Sequence, residues 1–154
     1  MIEQSLRPAT LEDRAFIERC GCASLASSSP PFRLAPLPLL AVNFQRLLEV
    51  VFAREHLAIL LCEGEMPLGF ALAILDLPDE VSGLPQAFLA YMAVEEAYRG
   101  RGLGARLLAG LEEEARRRGA PYLALMVTEG NAAAEALYER AGYRTERRLL
   151  GKPL

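Results

Sequence analysis

Apolar positions along this 154-residue chain fall into short runs and helical stripes whose order can be followed from end to end. Ser5 to Thr10 reads as the end of a strand, then Pro8, then a helix start, because Thr10-Leu-Glu-Asp13 has capping-box spacing. That helix is expected to run to about Ser24. Residues 27 to 38 contain four prolines and cannot continue it. They form a loop in which Phe32, Leu34 and Leu37 are expected to pack against the body of the domain with partial substrate contact; an active-site lid is the second reading. Leu39 to Arg54 repeats apolar residues at helical spacing through Phe44, Leu47, Leu48 and Val51. Leu57 to Cys62 and Leu68 to Leu75 are apolar runs separated by Glu63-Gly64-Glu65, which predicts a hairpin. Ala87 to Val94 supplies a third antiparallel strand.

The clearest helical pattern follows. Leu103, Leu107, Leu108, Leu111 and Ala115 fill one face, while Glu112, Glu113 and Glu114 stand four residues before Arg116, Arg117 and Arg118. Gly119 ends this helix and Pro121 forbids its continuation, so Tyr122 to Val127 begins another strand. A right-handed crossover sets that strand parallel to the one ending at Val94. Asn131 to Gly142 reads as a short helix with Asn131 as N-cap and Gly142 as left-handed C-cap, and Tyr143 to Leu150 as a last strand.

Composition narrows the classes. At 52% hydrophobic residues, the chain fits one domain, 1–154, that buries its core without disulfides or a structural metal. Net charge is −3 and the basic residues are interspersed with acids, so no nucleic-acid partner is expected. No apolar run has membrane-helix length, and Met-Ile-Glu-Gln-Ser has no signal-peptide regions; no membrane association and a cytoplasmic location are expected. Cys20, Cys22 and Cys62 lack zinc-site spacing and read as free thiols. His56 lies at an expected helix end, where a structural or solvent role outweighs catalysis.

Candidate chemistry concentrates in Arg99-Gly100-Arg101-Gly102-Leu103-Gly104, between the strand ending at Val94 and the Leu-rich helix. Alternate glycines let a backbone approach a ligand and turn several N–H groups toward one point, and the opening of a helix favours an anion there. A dinucleotide-binding turn would read Gly-x-Gly-x-x-Gly, whereas this one reads Gly-x-Gly-x-Gly after a polar connection, Glu95 to Arg99. Glu129 could imitate its ribose-binding acid, so that reading stays as a remote alternative.

Arg99-x-x-Gly102-x-Gly104, after a strand ending Met-Ala-Val94, resembles the acyl-CoA pyrophosphate loop of the GNAT N-acetyltransferase superfamily. Asn131-Ala-Ala-Ala-Glu-Ala-Leu-Tyr138-Glu-Arg-Ala-Gly142-Tyr143 is similar to that superfamily's second block, in the expected order and separation. The resemblance covers nearly the whole chain. It implies an α/β (α+β) domain with a mixed sheet of six to seven strands flanked by four helices, in the order β-α-α-β-β-β-α-β-α-β. It implies transfer of an acetyl group from acetyl-CoA, without metal, to a primary amine of a small molecule or peptide. The backbone of Met92, Ala93 and Val94 would bond the pantetheine arm where strands four and five splay. The N–H groups of Arg99, Gly100, Arg101, Gly102, Leu103 and Gly104 would hold the pyrophosphate, with Arg99 and Arg101 adding charge. Asn131 would bond the cofactor, and Tyr138 would protonate the departing thiolate.

Each role has a plainer competitor: solvated arginines, an N-cap asparagine, and a core tyrosine beside Ala134, Leu137 and Ala141. The family's usual glutamate is missing from two common positions, which hold Phe88 and Met126. Glu95, Glu96 and Glu129 read as solvated, and Tyr91 acting through water is the remaining idea, so no base is assigned. A non-catalytic acyl-CoA-binding domain is the alternative. Family members also pair through their last strands, so a homodimer is plausible, although no residue here specifies it.

Overall fold

The computed structural model describes residues 3–154. Five strands form one sheet in the order β1-β2-β3-β4-β5: β1 (Gln4–Pro8), β2 (His56–Glu63), β3 (Met66–Ile74), β4 (Ala87–Val94) and β5 (Leu123–Leu125). Neighbours are antiparallel from β1 to β4, and β4 runs parallel to β5. The helices are α1 (Arg14–Cys22), α2 (Leu25–Ser28), α3 (Leu37–Phe52), α4 (Leu103–Arg117) and α5 (Ala132–Arg140).

Strand alternation divides the core into two layers. On one face, Leu57, Ile59 and Leu61 of β2 meet Leu103, Leu107, Leu108, Leu111 and Ala115, which are the expected stripe of α4. On the other, Leu60, Phe70, Leu72 and Ile74 pack against Phe16, Ile17 and Cys20 of α1 and Phe44, Leu48 and Val51 of α3. Leu107 and Leu111 are fully buried, and each such side chain contributes about 1.5–3 kcal/mol. The charged face of α4 differs in one respect from its spacing. Arg116 and Arg117 bond the glutamates before them, but Arg118 turns away from Glu114 to Glu55, 3.4 Å distant and just before β2.

Several expectations need correction. Among the described residues the sheet has five strands rather than six to seven, and five helices flank it rather than four, because Leu25–Ser28 makes a separate single turn. Tyr143–Leu150 is not a strand. Beyond the Tyr143 N–H it makes no backbone hydrogen bond among the described residues. Its apolar residues, Leu149 and Leu150, are adjacent rather than alternating and lie exposed behind the charged run Arg144–Arg148. The strand expected over Tyr122–Val127 pairs only through Leu123–Leu125. Helix α3 starts at Leu37, two residues early, because Pro38 falls in its first turn where no N–H is required. Phe32, Leu34 and Leu37 are exposed rather than packed on the body. The two proline pairs around them stiffen the segment without folding it down onto either core layer.

Thr10 and Asp13 form the expected cap: the Thr10 N–H donates to the Asp13 carboxylate at 2.7 Å. The same carboxylate accepts both arms of Arg7 from β1 at 2.8 Å, joining the sheet edge to α1. Arg7, followed by the Thr10 backbone, holds the Asp13 carboxyl down at about 2, against the desolvation that opposes it. A carboxyl depressed in the folded state stabilises the fold above its unfolded value and loses that contribution as pH falls through the folded one. Asp13→Asn is therefore expected to lower stability by about 1–3 kcal/mol at neutral pH. In urea titrations the gap between variant and parent should narrow as pH falls from 3.8 toward about 2.

Candidate functional site

The site starts from a mismatch in β4. Tyr91 pairs with Leu72 and Leu89 with Ala73, so Ala90 is an extra residue with no partner in β3. Such a bulge bends a strand and shifts its alternation. Ala87 and Leu89 face α4, but Ala90, Tyr91 and Ala93 pack with the α1–α3 layer, and Met92 and Val94 return to the α4 side. Pairing between β4 and β5 also stops at Leu89 and Leu125. Beyond that point the two parallel strands part, leaving a wedge at their carboxyl ends.

Two turns of chain border the wedge. After a 3-10 turn over Glu96–Tyr98, Gly100 and Gly102 both take φ of 75°, the left-handed region that penalises side chains. Helix α4 opens on Gly102, whose carbonyl accepts the Arg106 N–H. Among the described residues, the N–H groups of Gly100, Arg101, Gly102, Leu103 and Gly104 have no protein acceptor. They form a cluster of donors at the positive end of a helix, which suits an anion. Gly104 belongs to the helix itself, where an added Cβ would lie 3.4 Å from Leu137 of α5. The arginines do not point into this cluster. Arg99 donates from Nε to the Val94 carbonyl at 3.0 Å, and Arg101 lies over the Tyr98 ring while donating to the Ala97 carbonyl. One lone pair of the Val94 carbonyl is thus taken by Arg99.

Helix α5 carries the other border. Asn131 caps it, accepting the Ala134 N–H at 3.4 Å, and also donates to the Ser27 carbonyl. Gly142, at φ 91°, closes the far end: its N–H reaches the Glu139 carbonyl, and the Tyr143 N–H reaches the Tyr138 carbonyl. That closure sets the Tyr138 and Tyr143 rings edge to face at 5.8 Å. Tyr143 donates to Glu112 of α4 at 2.9 Å, whereas the Tyr138 hydroxyl makes no hydrogen bond to the described residues. Burial, and then the proximity of Tyr91, raise the Tyr138 pKa above the ordinary phenol value. A phenol so placed keeps its proton at neutral pH and can donate it.

Ser24, Ser28 and Thr128, assigned no role from the sequence, complete the surroundings. The Tyr91 hydroxyl lies 2.7 Å from Ser24 Oγ and 3.3 Å from Ser28 Oγ, and Thr128 donates to the Ser28 carbonyl at 2.6 Å. These contacts fasten the α1–α2 connection over the wedge. The serines lie in a polar stretch whose sequence gives no hint of its partners, since Ser24 and Tyr91 are far apart along the chain. His56 opens β2 rather than ending a helix, bonded to the Arg54 carbonyl and set edge-on to Phe52. Cys20 and Cys62 are buried and Cys22 half-buried, all as free thiols, and burial pushes Cys20 up to about 12. No group of His, Cys, Asp or Glu among the described residues could hold a metal ion. No helix among them is long and apolar enough to cross a membrane.

Comparison with known proteins bears on the family and the fold. A family model described as Acetyltransferase (GNAT) family matches residues 12–143. An acetyltransferase of Yersinia pestis (strain Pestoides F) is 42% identical over 65 residues, which is 42% of this chain and 46% of that protein. The alignment therefore spans less than half the length of that curated relative. A GCN5-related N-acetyltransferase from Ralstonia eutropha JMP134 superposes with a TM-score of 0.78 at 19% identity, covering 99% of each chain. AAC(6')-Iy, solved in complex with the bisubstrate analog CoA-S-monomethyl-acetylneamine, superposes with a TM-score of 0.67 at 17% identity, covering 99% of this chain and 98% of that one. With the matched segment reaching from α1 to the end of the Tyr138 helix, the chain belongs to the GNAT acetyltransferase family.

Proposed function

We propose that this protein is an N-acetyltransferase that moves an acetyl group from acetyl-CoA to a primary amine. The observation that carries this reading is the run of unpartnered N–H groups from Gly100 to Gly104 at the mouth of the β4–β5 wedge. Five donors around two left-handed glycines fit a pyrophosphate, and an open strand edge beside them fits an extended amide-bearing arm. The CoA-containing analog bound by AAC(6')-Iy, a relative in fold, supports the same choice of donor.

Acetyl-CoA supplies an activated acyl carbon and a thiolate leaving group. The chain's own residues bind, orient and protonate. Gly100 to Gly104 anchor the phosphates through the backbone, with the α4 dipole adding to the attraction. Free β4 backbone beyond Leu89 aligns the arm and offers donors to the thioester oxygen. Tyr138, protonated and without a protein partner, gives its proton to sulfur as charge develops there.

Two variants test this assignment. Gly102→Ala forces a side chain into a left-handed position, which costs about 1–2 kcal/mol. Acetyl-CoA affinity, read by isothermal titration, should fall roughly tenfold; unchanged affinity would remove the glycine turn from the site. Tyr138→Phe keeps the ring and is expected to retain acetyl-CoA affinity while kcat for CoA release drops about 100-fold. Unchanged turnover would exclude Tyr138 as the acid. Acetyl-CoA binding with no release across an amine panel would instead mark a non-catalytic acyl-CoA-binding domain.

A further inference from the structure

The hydroxyl cluster around Tyr91 has a fixed direction. Ser24 Oγ donates its one proton to the Gly21 carbonyl at 2.9 Å, so in the 2.7 Å contact with Tyr91 the phenol is the donor. The Tyr91 oxygen then has lone pairs to offer, and Ser28 Oγ, 3.3 Å away, also lies within 3.4 Å of the Ser24 carbonyl as an alternative acceptor for its one proton. What remains is a hydroxyl oxygen on β4, in the layer that α1 and α3 cover. It can receive an N–H as a hydrogen bond.

Most charged groups on the surrounding elements are engaged elsewhere; Arg33 and Glu129 are the exposed exceptions. On α1, Glu18 bonds Arg14, and Arg19 bonds Glu95 from the end of β4. Glu112 of α4 holds Tyr143, and Glu135 of α5 accepts the Gly130 N–H. The Cys22 thiol is kept protonated by burial. Helix α3 and strand β3 turn the rings of Phe44 and Phe70 toward Tyr91. Asp79 from the β3–β4 connection bonds Arg147 of the tail. Arg33, on the loop after α2, is a cation. Glu129, in the turn after β5, is exposed to solvent. An ammonium held at the Tyr91 hydroxyl exchanges its water for serine hydroxyls and aromatic rings, which is costly.

Resting on the acetyltransferase reading above, we infer that the acceptor is a weakly basic primary amine of the α-amino kind. It enters already neutral and is oriented by an N–H···O bond to Tyr91, which acts as a positioning residue. Solvent removes the ammonium proton before binding. In the transfer itself the C–N bond forms and the C–S bond breaks. The nitrogen yields one proton to bulk water through the open wedge, and sulfur gains one from Tyr138, which water then reprotonates. Net proton balance is zero and no resident base is needed.

The test compares two acceptors at saturating acetyl-CoA: alanylglycinamide, with only an α-amine, and Nα-acetyl-lysinamide, with only an ε-amine. Reference pKa values near 8 and 10.4 make the neutral fraction at pH 7 differ roughly two hundredfold. The expected result is a kcat/KM at pH 7 about 100-fold higher for the α-amine. The midpoint of each rising pH profile should follow the acceptor's own pKa, and Glu129→Gln should leave both profiles in place. Tyr91→Phe, which keeps both ring contacts, should raise acceptor KM about tenfold with acetyl-CoA affinity and the midpoint unmoved. A midpoint shared by both acceptors, its loss in Glu129→Gln, or transfer to neither amine overturns the inference. Failure to bind acetyl-CoA defeats the underlying reading instead.

Discussion

Ala90 stands opposite no residue of β3, and the wedge, the placement of Tyr91 and the free edge of β4 all depend on that surplus. Without the bulge, strict alternation would put Tyr91 beside Leu89 on the α4 face, away from Ser24 and Phe44. With it, the tyrosine crosses to the α1–α3 layer, stacks on Phe70 and meets the serines. The same distortion coincides with the end of β4–β5 pairing at Leu89. A strand edge that would otherwise be consumed by its neighbour is left for something else.

The borders of the wedge are held by accounting for backbone groups. At α5 both ends are closed, by Asn131 at the start and by the left-handed turn at Gly142. At α4 the start is left open. Its donors have no acceptor among the described residues, while the neighbouring arginines are drawn off, Arg99 to Val94 and Arg101 to Tyr98. An unsatisfied helix start beside a parted strand pair is tolerable because water or a ligand can reach it.

Much of this was legible in the residue pattern. The α4 stripe, the β2–β3 hairpin, the limits of β4 and both caps of α5 follow from periodicity and from Gly, Pro and Asn positions, which act over a few residues. Misreadings fell where the outcome depends on distant partners. Phe32, Leu34 and Leu37 are apolar, yet no core surface lies within their reach. Tyr143–Leu150 has strand-like residues, yet β5 offers a pairing template of only three residues. Ser24 and Ser28 carried no signal, because a serine's partner is chosen by whatever the fold brings to it.

By itself the sequence determined the elements, their order and the glycine turn, since each rests on local backbone preference and on the spacing of apolar side chains. The pairing of the Asn131–Tyr143 block with that turn determined the family resemblance. Tertiary structure alone decided that β4 carries its extra residue at Ala90, that the arginines fold back, and that Tyr91 crosses to the α1–α3 layer, where Ser24 and Ser28 meet its hydroxyl. Register between strands is a property of two segments at once, and a bulge in one strand exists only relative to its partner.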